Sequence, residues 1–274
     1  MRHEAMKKPL LRLLALIACA FSAAVLGADP GTLRLATTTS TDNSGLLKVI
    51  LPKFEAASGL KVHVISVGTG KAMKLGENGD VDVILVHSRP DEDRFVAAGY
   101  GVERRDVMYN DFIIVGPRSD PAKVRGMKDV IAALKRIRDS KATFVSRGDD
   151  SGTDKMEKAY WKTAGARPEG RQYMSAGQGM GEVLTIAGNV GGYTLTDRAT
   201  YGAYRTRVGL DIMVEGDPKM FNPYGVIAVS LVRYPDANFR GAMQFIDWIT
   251  GPEGRRAIAD FKVNGEQLFF PTPK

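Results

Sequence analysis

The sequence predicts an α/β protein of two lobes, each a mainly parallel sheet flanked by helices. Three observations carry this. Runs rich in β-branched and aromatic residues alternate with helix-forming runs from residue 32 onward, the pattern of strand–helix units in parallel sheets. Polar clusters recur where a strand ends and a helix begins, the place at which open α/β sheets bind ligands. Two distant stretches, 107–115 and 220–229, each set an aromatic–Asn pair (Tyr109-Asn110 and Phe221-Asn222) before an apolar strand. Paired, they would form a two-stranded hinge between a lobe of residues 31–111 plus 225–274 and a lobe of residues 112–224.

Residues 1–28 read as a signal peptide. Arg2, Lys7, Lys8 and Arg12 form a basic start, residues 13–26 are almost wholly apolar, and Gly27-Ala28 offers a small-residue cleavage site. The apolar run is too short for a persistent membrane helix. Export to the periplasm is therefore expected. Cys19, the only cysteine, lies within this run. Leu16-Ile17-Ala18-Cys19 loosely resembles a lipoprotein box, but residues 20–26 stay apolar, so cleavage is favoured over lipid anchoring at Cys19. Removing Arg2, Lys7, Lys8, Arg12 and Glu4 leaves 34 basic and 30 acidic residues of the chain's 38 and 31. That small scattered excess lacks the basic stripe of a nucleic-acid binder. No cysteine remains for disulfides or thiol chemistry. His63 and His87 alone are too few for a histidine-built metal site or a His-dependent nucleophile. About 245 residues suffice for two lobes of ordinary size.

The elements follow in order. Residues 32–36 read as a first strand, ending in seven hydroxyl or amide side chains over 37–44, read as a ligand loop. A helix from Gly45 follows, kinked or restarted at Pro52 and ended by Ser58-Gly59. A second strand, 61–67, leads through Gly68-Thr69-Gly70 into a helix over 71–75. A buried strand over 81–86 precedes a helix over 90–98. Residues 128–138 form an amphipathic helix with a basic solvent face. Residues 142–145 make a strand, 177–187 a helix ended by Gly188, and 192–197 a strand running into a helix over 198–204. Phe245, Ile246 and Trp248 give residues 239–249 the 3.6-residue spacing of a packed helix.

The chain is organised around Ser146-Arg147-Gly148-Asp149-Asp150-Ser151-Gly152-Thr153. A strand, a tight polar loop and a helix start can aim free backbone N–H groups and the positive helix end at an anion. Ser151 and Thr153 add hydroxyls, Gly152 permits close approach, and Arg147 adds a permanent charge with a fork of donors. Asp149 is placed to orient Arg147. An ordinary helix cap would not need this whole set. Thr194 or Thr196 could add a hydroxyl from the second lobe, although a threonine in a strand is ordinarily β-propensity.

Other chemistries fit poorly. Gly68-Thr69-Gly70-Lys71-Ala72 is too short for a nucleotide phosphate loop and has Ala72 where Ser or Thr is required. Gly152 lacks a hydrolase elbow around it, and an exported hydrolase using Ser151 with Asp149 would want a base. Asp91-Glu92-Asp93 reads as an acidic first helical turn. Tyr160-Trp161 reads as packing.

Several runs resemble the tungstate-binding proteins of bacterial ABC importers. They are Ala36-Thr37-Thr38-Thr39-Ser40 with Ser44-Gly45-Leu46-Leu47, Val67-Gly68-Thr69-Gly70, Tyr109-Asn110-Asp111-Phe112, the loop 146–153, Gly177-Gln178-Gly179-Met180 and Tyr193-Thr194-Leu195-Thr196-Asp197-Arg198. The likeness spans nearly the whole exported chain. The Arg-x-Asp-x-Ser-Gly-Thr run alone is shared with phosphate-binding relatives. The resemblance implies a type II periplasmic binding-protein fold that closes on a tetrahedral oxyanion and delivers it to a membrane permease. It implies ligand contacts from Thr38, Thr39, Ser40 and Thr69 on one lobe. Arg147, Ser151, Gly152, Thr153 and, more weakly, Thr194 would come from the other. No cofactor and no catalysis are expected, and the chain is expected to be a monomer. Tungstate and molybdate dianions offer only acceptors at neutral pH, which suits a donor lining; phosphate keeps a proton and benefits from an acceptor carboxylate. Phosphate or another oxyanion remains the alternative ligand, and a signalling receptor for the same anion the alternative role.

Overall fold

A computed structural model describes residues 31–273. The expected signal segment with Cys19 and the expected cleavage region lie outside the described residues. The chain opens with β1 (Thr32–Thr38), a five-residue helix α1 (Thr39–Asn43) and α2 (Leu46–Ser58). Next come β2 (Lys61–Val67), α3 (Thr69–Asn78), β3 (Val83–Val86) and α4 (Arg89–Ala97). β1 lies between β2 and β3, parallel to both, with Leu35 opposite Val64 and Val83. Polar residues 37–44 are not a plain loop: Thr37 and Thr38 finish β1, and Thr38 caps α1 by accepting from the Thr41 N–H. Hydroxyl side chains favour such local bonds, which is why the run turns helical at once. Pro52 neither stops nor restarts α2, whose face of Leu46, Leu47, Ile50, Leu51 and Phe54 is buried. That packing outweighs the one lost N–H.

The 17-residue strand β4 (Gly101–Pro117) leaves this sheet. It is followed by α5 (Val130–Asp139), β5 (Phe144–Ser146), α6 (Gly152–Thr163), β6 (Tyr173–Ser175) and α7 (Met180–Val190). β7 (Thr194–Asp197), α8 (Arg198–Val208), β8 (Leu210–Val214) and β9 (Phe221–Val229) come next. The chain ends with α9 (Phe239–Thr250), α10 (Pro252–Asp260) and three two-residue strands, β10 (Lys262–Val263), β11 (Glu266–Gln267) and β12 (Phe270–Pro271). Residues 101–111 of β4 pair antiparallel with β9, and its last six residues pair antiparallel with β7 and β8. The two aromatic–Asn stretches do meet, with Asn110 opposite Asn222 and Tyr109 opposite Pro223. Parallel pairing holds for β1–β2, β1–β3 and β5–β6; β9 runs antiparallel to β3 and β4, which makes the first sheet mixed, whereas β4 pairs only antiparallel with β7 and β8. Strands that run between two sheets and back must oppose one another.

Separate apolar cores lie under the two sheets. One gathers Leu33, Leu35, Phe54, Phe245, Ile246 and Phe269, and another Phe112, Leu134, Phe144, Trp161 and Tyr193. Trp161 meets Phe144 edge-on at 5.1 Å, so it packs the core. α7 runs past Gly188 to Gly191, whose φ of 61° ends it. Gly188 serves a close approach instead: a Cβ there would stand 2.2 Å from the Val208 carbonyl oxygen.

Candidate functional site

The ends of β1, β2 and β5 and the helices that follow them bring most of the candidate residues together. Thr38, Ser40, Thr69, Arg147, Ser151 and Thr153 are all at most 1 % exposed. A fully buried guanidinium is unusual and must be surrounded by acceptors. Arg147 Nη2 donates to Thr39 Oγ1 at 2.9 Å and to Asp149 Oδ2 at 2.5 Å. Its Nε and Nη1, and the Thr153 hydroxyl, are buried without any hydrogen-bond partner. Leaving such groups unsatisfied costs about 1–3 kcal/mol each.

The loop between β5 and α6 is held from within. Asp154, fully buried, accepts from the N–H groups of Gly148 and Asp150 at 3.1 and 3.2 Å and pairs with Lys158 at 2.6 Å. Asp149 Oδ1 takes the Ser151 N–H, and Thr69 Oγ1 takes the Gly152 N–H at 2.9 Å. The expectation of free backbone N–H groups is corrected for these four. The Asp149 and Asp154 carboxylates are spent on shaping the loop backbone. Ser151 Oγ caps α6 by accepting from the Asp154 N–H at 3.2 Å. Gly148 needs its φ of 63°, and a Cβ there would clash with Ser175 Oγ at 1.9 Å.

Four contacts join segments that the two sheets hold apart. Besides Arg147–Thr39 and Gly152–Thr69, Thr200 Oγ1 donates to the Ser40 carbonyl at 3.1 Å and Lys155 Nζ pairs with Asp91 at 2.8 Å. The contacts describe a closed arrangement. Thr69 thus bridges in this arrangement, its hydroxyl accepting from the opposite loop. Thr194 stands apart, opposite Val115 at the start of β7, with its hydroxyl on the Leu195 carbonyl. The β7 residue next to the site is Asp197, which is fully buried and caps α8 through Thr200. Burial pushes the Asp197 carboxyl up, against the bonds from Thr200 and the charge of Arg147. A recess of about 390 Å³ lined by Gly70, Asp91, Asp150 and Lys155 opens beside the buried donors and not among them.

His87, at the end of β3, was not among the expected site residues. Its Nε2 lies 3.1 Å from Ser40 Oγ and its Nδ1 2.9 Å from Asn222 Oδ1. Burial, with the Arg147 charge added, lowers its pKa to about 4, against the Asn222 bond. The ring is neutral at pH 7. Its place at a strand's C-terminal end was the signal that could have found it. Among the described residues no group of three or more His, Cys, Asp or Glu is placed to hold a metal ion. The arrangement can hold a small anion with a guanidinium fork and hydroxyls.

The chain is similar to known binding proteins. A model of the PBP superfamily domain matches residues 27–253. The tungstate-binding protein TupA of Peptoclostridium acidaminophilum is 48 % identical over 245 residues, spanning 88 % of this chain and 86 % of that protein. The structure of the tungstate ABC transporter from Geobacter sulfurreducens superposes with a TM-score of 0.78 at 53 % identity, covering 84 % of this chain and 98 % of that one. TupA from Desulfovibrio alaskensis G20 superposes at 0.76 with 45 % identity, covering 89 % and 99 %.

Proposed function

This chain belongs to the PBP superfamily and, within it, to the family of the TupA tungstate-binding proteins, and we propose that it captures tungstate for an ABC importer. The single observation that carries the ligand class is the set of buried, unpartnered donors, Arg147 Nε and Nη1 with Thr153 Oγ1. A tetrahedral dianion offers acceptors only, which is what such donors lack. On this reading Thr38, Thr39 and Ser40 contact it from a lobe of residues 31–111 plus 225–274. Arg147, Ser151, Gly152 and Thr153 contact it from a lobe of residues 112–224, with Asp149 holding the guanidinium. Molybdate, close in size and charge, is the second ligand of this reading. Residues 1–28 export the chain to the periplasm, where it hands the anion to the permease as a monomer, with no catalysis and no cofactor.

Phosphate is the competing ligand, and Asp197 is the observation that favours it, because a buried carboxylate near Arg147 could accept the phosphate proton. A thermal-shift panel of tungstate, molybdate, chromate, sulfate and phosphate decides between them. A ligand at 100 times its dissociation constant stabilises the fold by about 2.7 kcal/mol. Tungstate and molybdate should raise the melting temperature, and phosphate and sulfate at equal concentration should leave it nearly unmoved. A phosphate shift equal to that of tungstate would overturn the tungstate reading.

A further inference from the structure

The reading above leaves His87 without a task, although both ring nitrogens are engaged beside the proposed ligand contact Ser40. Asn222 spends its amide N–H on Asn110 Oδ1 at 2.7 Å, across the β4–β9 crossover. Its carbonyl oxygen therefore faces His87 Nδ1 at 2.9 Å, which assigns the ring proton to Nδ1. Nε2 is then a bare acceptor and takes the hydroxyl proton of Ser40, 3.1 Å away. The same polarity runs back along the loop. Ser40 Oγ accepts from Thr38 at 3.0 Å, and Thr38 Oγ1 accepts from the Thr41 hydroxyl at 2.7 Å. In this state the Ser40 proton points at His87 and is withheld from any ligand.

The charges at the site sharpen the problem. Arg147 is paired with Asp149 at 2.5 Å, and Asp197 lies buried close by. A dianion entering here meets one guanidinium already half matched by carboxylates. Turning the Ser40 hydroxyl toward the anion would also strand Nε2 as a buried acceptor with no donor.

One change answers both. Resting on the tungstate reading, we propose that binding of the dianion is coupled to uptake of one proton at His87 Nε2, so that the imidazolium donates to Ser40 Oγ and frees the Ser40 hydroxyl for the anion. One N–H bond forms, with a proton from solvent; Ser40 keeps its own proton and no bond in the oxyanion breaks. In the absence of ligand the ring stays neutral, because burial and the Arg147 charge both oppose the imidazolium. The other faces of the ring are Tyr224, stacked at 4.8 Å, and Phe112 at 6.2 Å, neither of which offers a counter-charge. The bound dianion supplies it. His87 is thus a positioning residue that gives the site its second positive charge only when an anion is present. Asp197 is the other buried group at the site able to take up a proton, and the experiment separates the two.

The test is calorimetric titration of the full exported chain with sodium tungstate at neutral pH, in buffers of widely different ionisation enthalpy and free of phosphate. The observed enthalpy should vary linearly with buffer ionisation enthalpy, with a slope showing net proton uptake. Affinity should weaken by up to about tenfold per pH unit as pH rises, the limit for one linked proton. His87→Gln should abolish the slope, and Asp197→Asn should keep it. Saturable binding with the same enthalpy in every buffer would overturn the coupling and leave the tungstate reading intact. No saturable binding would overturn both. Uptake that survives His87→Gln and vanishes in Asp197→Asn would place the proton on Asp197 and refute the proposal. Should His87→Gln fail to fold, nitrogen NMR of the wild-type imidazoles decides. Tungstate should convert one ring from the Nδ1–H form to the doubly protonated form, and a ring that stays neutral at saturation would refute it.

Discussion

Arg147 and Thr39, 108 positions apart in the chain, meet through a 2.9 Å hydrogen bond from Nη2 to the threonine hydroxyl. One follows β5 and the other follows β1, so the contact closes the space between the two sheets. The remaining guanidinium donors, Nε and Nη1, find no partner in the protein. On the proposed reading they are donors offered to the anion.

Removing that fork should be costly to binding. Hydrogen bonds to charged groups contribute roughly 1.5–3 kcal/mol, so Arg147→Ala should weaken tungstate at least about tenfold. Arg147→Lys should recover only part, since a point charge cannot reproduce the planar fork. Near-wild-type affinity of the alanine variant in equilibrium titration would remove Arg147 from the site.

Thr153 offers a cleaner separation of binding from stability. Its hydroxyl is buried with no partner, so the isosteric Thr153→Val should leave the ligand-free melting temperature unchanged or slightly raised. Tungstate affinity should still fall about tenfold, because the lost donor would serve a charged ligand. A variant that melts lower but binds normally would make Thr153 a structural residue.

Glu157 gives a pH signature independent of ligand. It is 2 % exposed behind the loop, its Oε1 taking hydrogen bonds from Tyr173 OH at 2.6 Å and Trp161 Nε1 at 3.1 Å. Burial raises its pKa to about 7, against those bonds, with the Asp154 charge adding to the rise. The folded protein therefore holds a proton that the unfolded chain releases near the ordinary carboxyl value of 4.5. Stability from this group is fully present below pH 4.5 and is lost as pH rises through about 7. Glu157→Gln removes that loss. Denaturant titrations at pH 5 and pH 8 should show the variant gaining on the wild type by up to about 3 kcal/mol at the higher pH. An equal difference at both values would mean the carboxyl does not titrate in this range.

Closure should be visible in solution. Thr39, Ser40 and Thr69 face Arg147, Gly152 and Thr200 across the sheets, and only a closed molecule makes these contacts. Small-angle scattering should show a smaller radius of gyration with saturating tungstate, as ligand shifts the population toward the form that contacts it from both sides. An unchanged profile at proven saturation would indicate a protein already closed when free.

Much of this was legible in the sequence because it is written locally. β-branched runs ending in Thr37-Thr38-Thr39-Ser40 and Ser146-Arg147 announce strand ends, and the pairing of Asn110 with Asn222 follows from two like segments. What escaped depends on partners far along the chain. Asp154 reads as one more helix former until Gly148 and Asp150 are seen donating to it. His87 reads as a lone histidine until the crossover brings Asn222, 135 positions away, to its Nδ1. Gly188 reads as a helix stop, and only the approach of Val208 shows why a side chain is excluded there.

The central claim is that the buried donors between the sheets hold a fully deprotonated tetrahedral dianion. Its most direct test is equilibrium titration of the exported protein with tungstate in the presence and absence of excess phosphate. The account predicts one saturable tungstate site per chain whose isotherm phosphate does not shift. Displacement of tungstate by phosphate at comparable concentration, or the absence of saturable tungstate binding, would contradict it.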